Sequence, residues 1–206
     1  MRRTLFLTVV PALLLSGCAT LSEEECLNAN WQTIGFEDGI QGYYTERVGQ
    51  HREACAEYGV APDMNAYLIG HAQGIERFCT HRKGLELGAK GASYNNVCPR
   101  ELAEDFLSGY HEGRQIYNIS QELKAASKDH QALAKEIDVL QTELAKKREM
   151  VIAQSTGEVL RRELLDQIEV LEETIAGKLV LLDELAAHRD QLQRNYQYGR
   201  QKAGLL

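Results

Sequence analysis

The chain has few cations for its size, and this shortage excludes several kinds of partner. Lys and Arg number 23 against 30 Asp and Glu, which gives a formal net charge of −7 at pH 7. Phosphate binding requires clustered cations, so the composition argues against a nucleic-acid partner. The same balance argues against adsorption of the chain to an anionic lipid surface by charge alone.

The chain also lacks the motifs of the common catalytic sites. It contains no nucleophile-elbow serine, no phosphate-binding loop and no zinc-protease motif. We therefore predict no catalytic residue, no cofactor and no resident metal. The alternative is an enzyme of unknown reaction that uses His71 and His111 as acid and base, since each lies beside a glycine pair. A packed or surface histidine is the interpretation we prefer at both positions.

Long hydrophobic runs are missing as well, and the one apolar run is too short to cross a bilayer. It extends from Leu5 to Leu15, follows Arg2 and Arg3, and ends in Leu15-Ser16-Gly17-Cys18. This order is typical of a bacterial lipoprotein signal that ends in a lipobox. The sequence predicts that residues 1–17 are a signal peptide, that Cys18 is lipidated and that residues 18–25 form a tether. Removal of two arginines would leave a net charge near −9.

Lipidation at Cys18 implies a place in the cell envelope. Two or more acyl chains, such as palmitate, hold a protein stably on a membrane, whereas one chain does not. Ala19 follows the cysteine, and in this class the absence of aspartate there favours the outer membrane. We expect a lipid-anchored protein that faces the periplasm.

Four cysteines remain after Cys18: Cys26, Cys55, Cys79 and Cys98. In an oxidising compartment they predict two disulfides, and three pairings are open. Sequential pairing closes the shortest loops and is the one that we prefer. The alternative is a zinc ion bound by Cys55 and Cys79 together with His51 and His81.

Aromatic residues, proline and cysteine are all absent from residues 118–195, which are rich in Leu, Ala, Glu, Lys, Gln and Arg. This composition predicts long helix. Apolar residues recur in two heptad registers that do not join, and the break lies at residues 154–158. Ser155 and Glu158 have the spacing of a capping box there. We favour an antiparallel coiled-coil hairpin, with a single coiled coil containing a stammer as the alternative. A hairpin would return the tail, residues 196–206, to Tyr110–Arg114.

Residues 26–117 are instead rich in glycine and tyrosine. Three pairs of glycines lie four residues apart, at Gly35, Gly70 and Gly109 and four residues beyond each, and Gly88 with Gly91 resembles a distorted fourth pair. Glycine inside a helix costs about 1 kcal/mol relative to alanine, so the pairs predict tight helix crossings that offset this cost. The aromatic residues expected to fill the gaps are Trp31, Tyr67, Tyr94, Phe106 and Tyr110.

Other local signals mark boundaries and side-chain roles in this half. Asp63 is suited to cap a helix that carries residues 67–78, and residues 80–96 read as loop with one helical turn. An internal ion pair between Asp38 and Arg114 is a further expectation. The bare glycine faces suggest a ligand as the alternative to helix packing, and the candidate ligand-facing residues are Trp31, Asp38, Tyr67, Tyr110 and Arg114.

The order of residues from Cys26 to Tyr117 resembles a family of proteobacterial lipoproteins that is classified only as a domain of unknown function (2799). The resemblance rests on Asn30-Trp31, Gly35, Asp38-Gly39, Gly42, His51, Cys55, Gly59, Pro62-Asp63, Tyr67, Gly70, Gly74, Cys79, Gly84, Gly88, Gly91, Tyr94, Val97-Cys98-Pro99, Phe106, Gly109-Tyr110 and Gly113-Arg114. It covers nearly half of the chain and implies no activity.

The sequence therefore predicts an all-α fold: a small disulfide-stapled, glycine-rich helical domain followed by a long coiled-coil hairpin. We expect a structural or protein-interaction role, with an envelope protein or a second copy as partner through residues 118–195. The alternative is a peptidoglycan or saccharide-binding module, in which Trp31 and nearby tyrosines stack on sugar rings.

Overall fold

The computed structural model describes residues 20–205, and every regular element within them is helical. Residues 1–19, including the signal segment and Cys18, lie outside the described part. The helices are α1 (Glu23–Leu27), α2 (Trp31–Ile40), a 3-10 turn (Thr45–Arg47), α3 (Val48–Ala56), α4 (Met64–Phe78), α5 (His81–Ala89), α6 (Arg100–Ile152) and α7 (Glu158–Lys202). The prediction of an all-α fold with a long helical hairpin is confirmed.

The described residues form two compact units. The first unit comprises residues 20–80 and 95–103, and the second comprises residues 81–94 and 104–205. The change of composition at Tyr117 does not coincide with a structural break, because Tyr117 lies inside α6. A helix continues across a change of composition when both segments satisfy the same backbone hydrogen bonds.

The first unit is built on a tight crossing of α2 and α4. Gly35 and Gly39 on α2 meet Gly70 and Gly74 on α4. A Cβ atom at any of the four would lie closer to a backbone oxygen of the facing helix than the 3.0 Å that real Cβ atoms keep. Asp63 caps α4 as expected, since its side chain accepts a hydrogen bond from the Ala66 N–H at 3.0 Å. The glycine pairs therefore serve helix packing in this unit.

The second unit contains an equivalent crossing, of α5 on α6. Its glycines are Gly84 and Gly88 on α5 and Gly109 and Gly113 on α6, and each again faces a backbone oxygen of the other helix. The expected fourth pair, Gly88 with Gly91, is wrong: the pair is Gly84 with Gly88. The prediction of loop over residues 80–96 is also wrong, since α5 occupies nine of them. Packing against α6 overrides the low helix propensity of two glycines.

The two crossings are copies of one arrangement. Three residues beyond each second glycine, Gly42 and Gly91 adopt the left-handed conformation, with φ of +72° and +73°. Each stands against an aromatic ring from the facing helix, Phe78 for Gly42 and Tyr117 for Gly91. A side chain at either position would be strained by φ and would meet the ring. The chain therefore contains an internal structural repeat, one copy in each unit.

Two disulfides lie in the first unit, Cys26–Cys55 and Cys79–Cys98. This is the sequential pairing that we preferred. Cys26 and Cys55 are fully buried and pack with Trp31, Val48 and Tyr67 in the core of the unit. The bonding removes Cys55 and Cys79 as thiolate ligands, so the zinc alternative is not compatible with the structure. Among residues 20–205, no group of three or more His, Cys, Asp or Glu is placed to hold a metal ion.

Loss of the Cys26–Cys55 bond is expected to destabilise the first unit by about 3 kcal/mol, because its 29-residue loop is then free in the unfolded chain. The double variant Cys26→Ala/Cys55→Ala is compared with the wild type by denaturant unfolding, with the fluorescence of the single tryptophan as the probe. The variant Cys79→Ala/Cys98→Ala, with a 19-residue loop, should lose slightly less. A larger loss in this second variant would contradict the loop-length argument.

The segment that we predicted as a tether is largely folded. Ser22 caps α1 in a reciprocal capping box with Glu25, in which the Ser22 N–H donates to the Glu25 carboxylate at 2.7 Å. Leu21 packs against the core. Residues 20–25 therefore do not form a loose linker.

The arms α6 and α7 form an antiparallel hairpin, as favoured from the sequence. Residues near the end of α6 contact residues near the start of α7, and residues earlier in α6 contact residues later in α7. The contacts are Lys147 with Gln167 (2.6 Å), Arg148 with Glu172 (2.7 Å) and Glu136 with Lys178 (2.9 Å). The alternative of a single long coiled coil is wrong. At 1.5 Å per residue, the 53 and 45 residues of α6 and α7 extend about 80 and 68 Å.

Heptad positions from both registers form the seam of the hairpin. The buried seam residues are Ala126, Leu133, Ile137 and Leu144 on α6 and Leu164, Ile168, Ile175 and Leu192 on α7. The turn occupies residues 153–157, where the break was predicted. The predicted capping box is wrong: Gly157 is the N-cap of α7, and no side chain caps it. The turn is held by Thr156, whose hydroxyl donates to the Met150 carbonyl at 2.6 Å.

The tail returns to the base of the hairpin within the second unit. Gly199 faces Ile116, with its Cβ position 3.3 Å from Ile116 Cγ1. Most of the predicted tail, residues 196–202, belongs to α7. Its return to the region after Tyr110 agrees with the hairpin prediction. Within residues 20–205, no helix is long and apolar enough to cross a membrane.

Candidate functional site

The first unit contains a buried polar cluster centred on Asp38. One carboxylate oxygen, Oδ2, accepts hydrogen bonds from His51 Nε2 and from the Tyr67 hydroxyl, both at 2.8 Å. The other, Oδ1, pairs with Arg47 Nε at 3.0 Å. Asp38 lies on α2, Arg47 at the end of the 3-10 turn, His51 on α3 and Tyr67 on α4. The carboxylate thus joins four separate elements.

The cluster continues to the start of the described chain. Nδ1 of His51 lies 2.9 Å from the Thr20 hydroxyl oxygen. Asp38, His51 and Tyr67 are 5 %, 3 % and 0 % exposed. A buried charge is tolerated only when it is paired and hydrogen-bonded, and both Asp38 oxygens meet that condition.

The electrostatics favour an ionised Asp38. Burial works to raise the pKa of its carboxyl, but hydrogen bonds from His51 and Tyr67, with the charges of His51 and Arg47, outweigh burial and lower the pKa below its usual value. Burial and the bond to this carboxylate raise the pKa of Tyr67 far above its usual range. Tyr67 therefore acts as a hydrogen-bond donor at all physiological pH values.

Asp38, His51 and Thr20 have the residue types of a nucleophilic triad, and the same side chains link separate segments of the first unit. In the described residues, no buried side-chain nitrogen or oxygen lacks a hydrogen-bond partner. The chemistry that the arrangement supports is the fixing of α2, α3, α4 and the Thr20 segment around one carboxylate.

The second copy of the repeat shows that the crossing itself does not need this cluster. Counting from the equivalent glycines, Leu87 takes the place of Asp38, and Phe106, fully buried, takes the place of Tyr67. Phe106 packs against the ring of Tyr94, with centroids 4.5 Å apart. The polar cluster is therefore particular to the first unit, where the chain leads toward Cys18.

Three of the candidate ligand-facing residues are buried in the first unit. Trp31 is 7 % exposed and packs in the core, and Asp38 and Tyr67 face each other within the cluster. All three side chains belong to the core or the polar cluster, and a ligand-facing role for them stays a prediction. The exposed aromatic side chains of this region are Tyr43 and Tyr44, and the Arg47 guanidinium covers the Tyr43 ring at 3.9 Å.

The other two candidates hold a loop in the second unit. The Tyr110 hydroxyl donates to the Ala92 carbonyl at 3.0 Å, and Arg114 Nη1 donates to the Gly91 carbonyl at 2.9 Å. The predicted ion pair between Asp38 and Arg114 is wrong, since the cation beside Asp38 is Arg47. A ligand-binding role for Tyr110 and Arg114 stays a prediction.

The two histidines of the enzyme alternative have unlike surroundings. His71 is 7 % exposed, and its Nε2 lies 2.8 Å from the Tyr43 carbonyl. It is the counterpart of Tyr110, which bonds the equivalent carbonyl in the second copy. His111 is exposed on α6. His71 therefore holds a loop carbonyl in the first unit as Tyr110 does in the second.

A surface of low charge lies on α7. Between Thr174 and Leu182 the one charged residue is Lys178, and it pairs with Glu136 at 2.9 Å. We call the exposed residues of this stretch the α7 patch: Thr174, Ala176, Gly177, Leu179, Val180 and Leu181. The Thr174 hydroxyl donates to the Val170 carbonyl at 2.8 Å, which satisfies its polar group within the helix.

The fold defines a class of protein: an all-α domain made of two glycine-crossed helix pairs, with two disulfides in the first unit and a hairpin extending from the second. Residues 30–115 match the model of the family described as Protein of unknown function (DUF2799), which confirms the resemblance drawn from the sequence. The match begins at the N-cap of α2 and ends two residues after Gly113, so it spans both copies of the repeat. No curated protein and no solved structure matches the chain.

Proposed function

We propose that this is a lipid-anchored, non-enzymatic protein of the cell envelope, attached to the outer membrane through Cys18 and facing the periplasm. Its hairpin binds a partner helix, either of another envelope protein or of a second copy. The hairpin, which belongs to the second unit, presents the binding surface.

The α7 patch is the observation that carries the interaction role. Val180 is 61 % exposed, Leu181 47 % and Leu179 42 %, although all three lie in the middle of a long helix. The seam with α6 uses Ile175 and Leu182 of the same stretch. A helix that is apolar on all sides is normally buried on all sides. The exposed α7 patch is therefore a candidate binding surface for a partner.

The patch suits a helix better than a loop or a strand. Val170, Thr174, Gly177 and Leu181 are spaced by four, three and four residues and so lie on one face of α7. Nothing lies within 4 Å of a Cβ position at Gly177. A glycine in the middle of an exposed helix costs about 1 kcal/mol, and close approach of a partner backbone offsets such a cost.

Attachment near Thr20 supports the anchored role. Only Ala19 lies between Cys18 and Thr20, and the Thr20 hydroxyl oxygen is 2.9 Å from His51 Nδ1. An acylated Cys18 would therefore hold the first unit close to the lipid surface. Mass spectrometry of the membrane fraction tests this directly. The expected result is a chain that begins at Cys18 and carries acyl chains. An intact chain that retains Met1 with an unmodified Cys18 would overturn the anchor.

The interaction role is tested with a charge placed inside and outside the patch. In Val180→Glu the carboxylate would enter the proposed contact, so we expect association to weaken at least tenfold. In Ala187→Glu the same charge is placed on an exposed site of α7 beyond the patch, and association should be unchanged. Sedimentation velocity over a range of concentrations measures self-association. A photo-crosslinker at Leu181 in cells captures a partner of either kind.

Each outcome bears on the proposal. Concentration-dependent association that is lost in Val180→Glu supports a second copy as the partner. A monomer with a Leu181 crosslink to one envelope protein, lost in Val180→Glu and kept in Ala187→Glu, supports a different partner. A monomer at all concentrations with no crosslinked product removes the interaction role.

A further inference from the structure

The end of the hairpin carries a second surface whose composition differs from that of the rest of the chain. We call residues 146–162 the hairpin tip: the last turns of α6, the turn at 153–157 and the first turns of α7. Ile152 and Val159 are 80 % and 82 % exposed, and Met150 and Leu160 are 47 % and 45 % exposed. Four large apolar side chains therefore project into solvent at the end of a rod.

Cations surround these side chains. The tip contains five, Lys146, Lys147, Arg148, Arg161 and Arg162, and two acids, Glu149 and Glu158. The segment carries a net charge of about +3 within a chain of net charge −7. The positive charge is confined to the end of the hairpin, since Glu143, Glu163 and Asp166 flank the segment.

Three of the five tip cations pair with carboxylates, and one of these pairs joins Lys147 to Glu143 at 3.4 Å. Arg161 Nη2 donates to the carbonyl oxygens of Ala153 (3.4 Å) and Thr156 (3.2 Å), so it holds the turn without a carboxylate partner there. Arg162 pairs with Glu158 at 3.4 Å, and both side chains are exposed. Arg148 pairs across the hairpin with Glu172 at 2.7 Å, also at the surface. Exposed ion pairs of this kind are weak and exchange readily with another anion.

From this combination we propose that the hairpin tip docks on an anionic phospholipid surface, with Ile152 and Val159 entering the headgroup region and the cations meeting lipid phosphates. Exposed apolar side chains fringed by Lys and Arg are what such a surface binds, through buried apolar area and charge together. A stable protein interface involves about 800 Å² and roughly 20–30 residues on each partner, whereas the tip offers four exposed large apolar side chains. The partner is therefore the bilayer.

The lipid contact is separate from the proposed function. It involves neither Cys18 nor the α7 patch, so it stands or falls independently of them. In an anchored protein, it would add a second membrane contact at the end of an arm about 80 Å long. Two weak attachments in one molecule bind far more tightly than either alone when geometry allows both.

The test uses the chain that begins at Ala19, which has no acylation site and retains both disulfides, both crossings and the hairpin seam. Circular dichroism and a cooperative melting transition are checked first in every variant. Binding is measured by co-sedimentation with vesicles of phosphatidylcholine alone or mixed with an equal amount of phosphatidylglycerol, at low ionic strength. We expect binding to the mixed vesicles at least tenfold tighter than to the neutral ones, and weakened by salt.

Matched variants separate the tip from the rest of the surface. Ile152→Asp/Val159→Asp should lower binding to the mixed vesicles at least tenfold. The control Val139→Asp changes a valine that is 58 % exposed in the middle of α6 and should have no effect. Lys146→Gln/Arg162→Gln should lower binding about tenfold, whereas Lys124→Gln/Lys128→Gln removes the same charge from the lower part of α6 and should not.

A spectroscopic readout locates the contact. In Ile152→Trp the introduced indole should shift its emission to the blue with mixed vesicles and be quenched by brominated lipid, while the buried Trp31 stays constant. The proposal is overturned if the wild type does not bind mixed vesicles. It is also overturned if the two tip variants bind as the wild type does, or if tryptophan at position 152 remains in water when the protein is bound.

Discussion

Gly70→Ala is expected to destabilise the first unit by about 3 kcal/mol or more, although it adds a single methyl group to a helix. A Cβ at Gly70 would overlap the carbonyl oxygen of Gln32 on α2 and would lie 2.7 Å from its carbonyl carbon. Both atoms belong to backbone, which cannot move aside as a flexible side chain does. The crossing of α2 on α4 would have to open, and contacts along its whole length would loosen.

Unfolding is followed by the fluorescence of Trp31, the only tryptophan, which lies in the core of that unit. The matched control is Gly49→Ala on α3 in the same unit, where nothing lies within 4 Å of the Cβ position. Alanine there should stabilise the unit by about 0.5–1 kcal/mol through its higher helix propensity. If the two variants were equally stable, the close crossing would not exist in solution.

The second large effect is expected from Asp38→Asn, which should cost about 3 kcal/mol at neutral pH. The amide cannot accept hydrogen bonds on both sides, so a donor among Arg47, His51 and Tyr67 is left without its acceptor inside the protein. Removing one member of a buried ionic cluster leaves the remaining charged and polar groups buried without their hydrogen-bond partner, which is costly at low dielectric constant. The control is Asp190→Asn, whose carboxylate accepts from Arg189 at 2.7 Å but is exposed, so stability should not change.

The same cluster gives the acid dependence of stability. Because the folded-state pKa of Asp38 is lowered, its contribution is fully present above the usual carboxyl pKa of about 4 and is lost as the pH falls through the folded value. The wild type should therefore lose stability as the pH falls below about 4. In Asp38→Asn this loss should be smaller, as measured by denaturant unfolding at each pH. An equally steep loss in the variant would assign the acid sensitivity to other carboxyls.

The repeat supplies a further check on this reasoning. Leu87 and Phe106 occupy the positions of Asp38 and Tyr67 in the second copy. If the cluster has only a structural role, the double variant Asp38→Leu/Tyr67→Phe should be more stable than Asp38→Leu alone. The apolar pair removes one stranded donor and restores packing that the other copy tolerates. Melting temperatures of the two variants decide this.

Patterns of local chemistry predicted much of the fold. The two heptad registers with a break at residues 154–158 predicted the hairpin. Both the seam positions and the break are recognised from residues that are close together in the sequence. Asp63 predicted the start of α4, because an N-cap side chain bonds backbone N–H groups within the first turn of its helix. The glycine spacing at 35, 70 and 109 indicated crossings, because glycine in a helix requires an explanation from packing. The error at Gly84 arose where nearby Gly91 and Asn95 read as loop, and only contact with α6 makes that stretch helical.

The cluster around Asp38 was beyond prediction in its details. The sequence predicts an ion pair between Asp38 and Arg114, 76 residues away, whereas the cation that pairs with Asp38 in the structure is Arg47, nine residues away. Nothing in the local pattern distinguishes the two arginines. Which of them reaches a buried carboxylate depends on where the 3-10 turn places Arg47, and that follows from the crossing of α2 on α4.

The amino-acid sequence was sufficient to predict the helical fold class, the difference between the two halves and the pairing of the cysteines. Periodicity, composition and the number of thiols can all be read without knowing which residues are in contact. Long-range packing, by contrast, makes the glycine pairs into two copies of one crossing, places an ionic cluster in one copy and leaves apolar and cationic side chains exposed on the hairpin. Those properties depend on which backbone approaches which, and on which faces remain uncovered after packing. Neither distance nor exposure can be read from a residue and its neighbours in the chain.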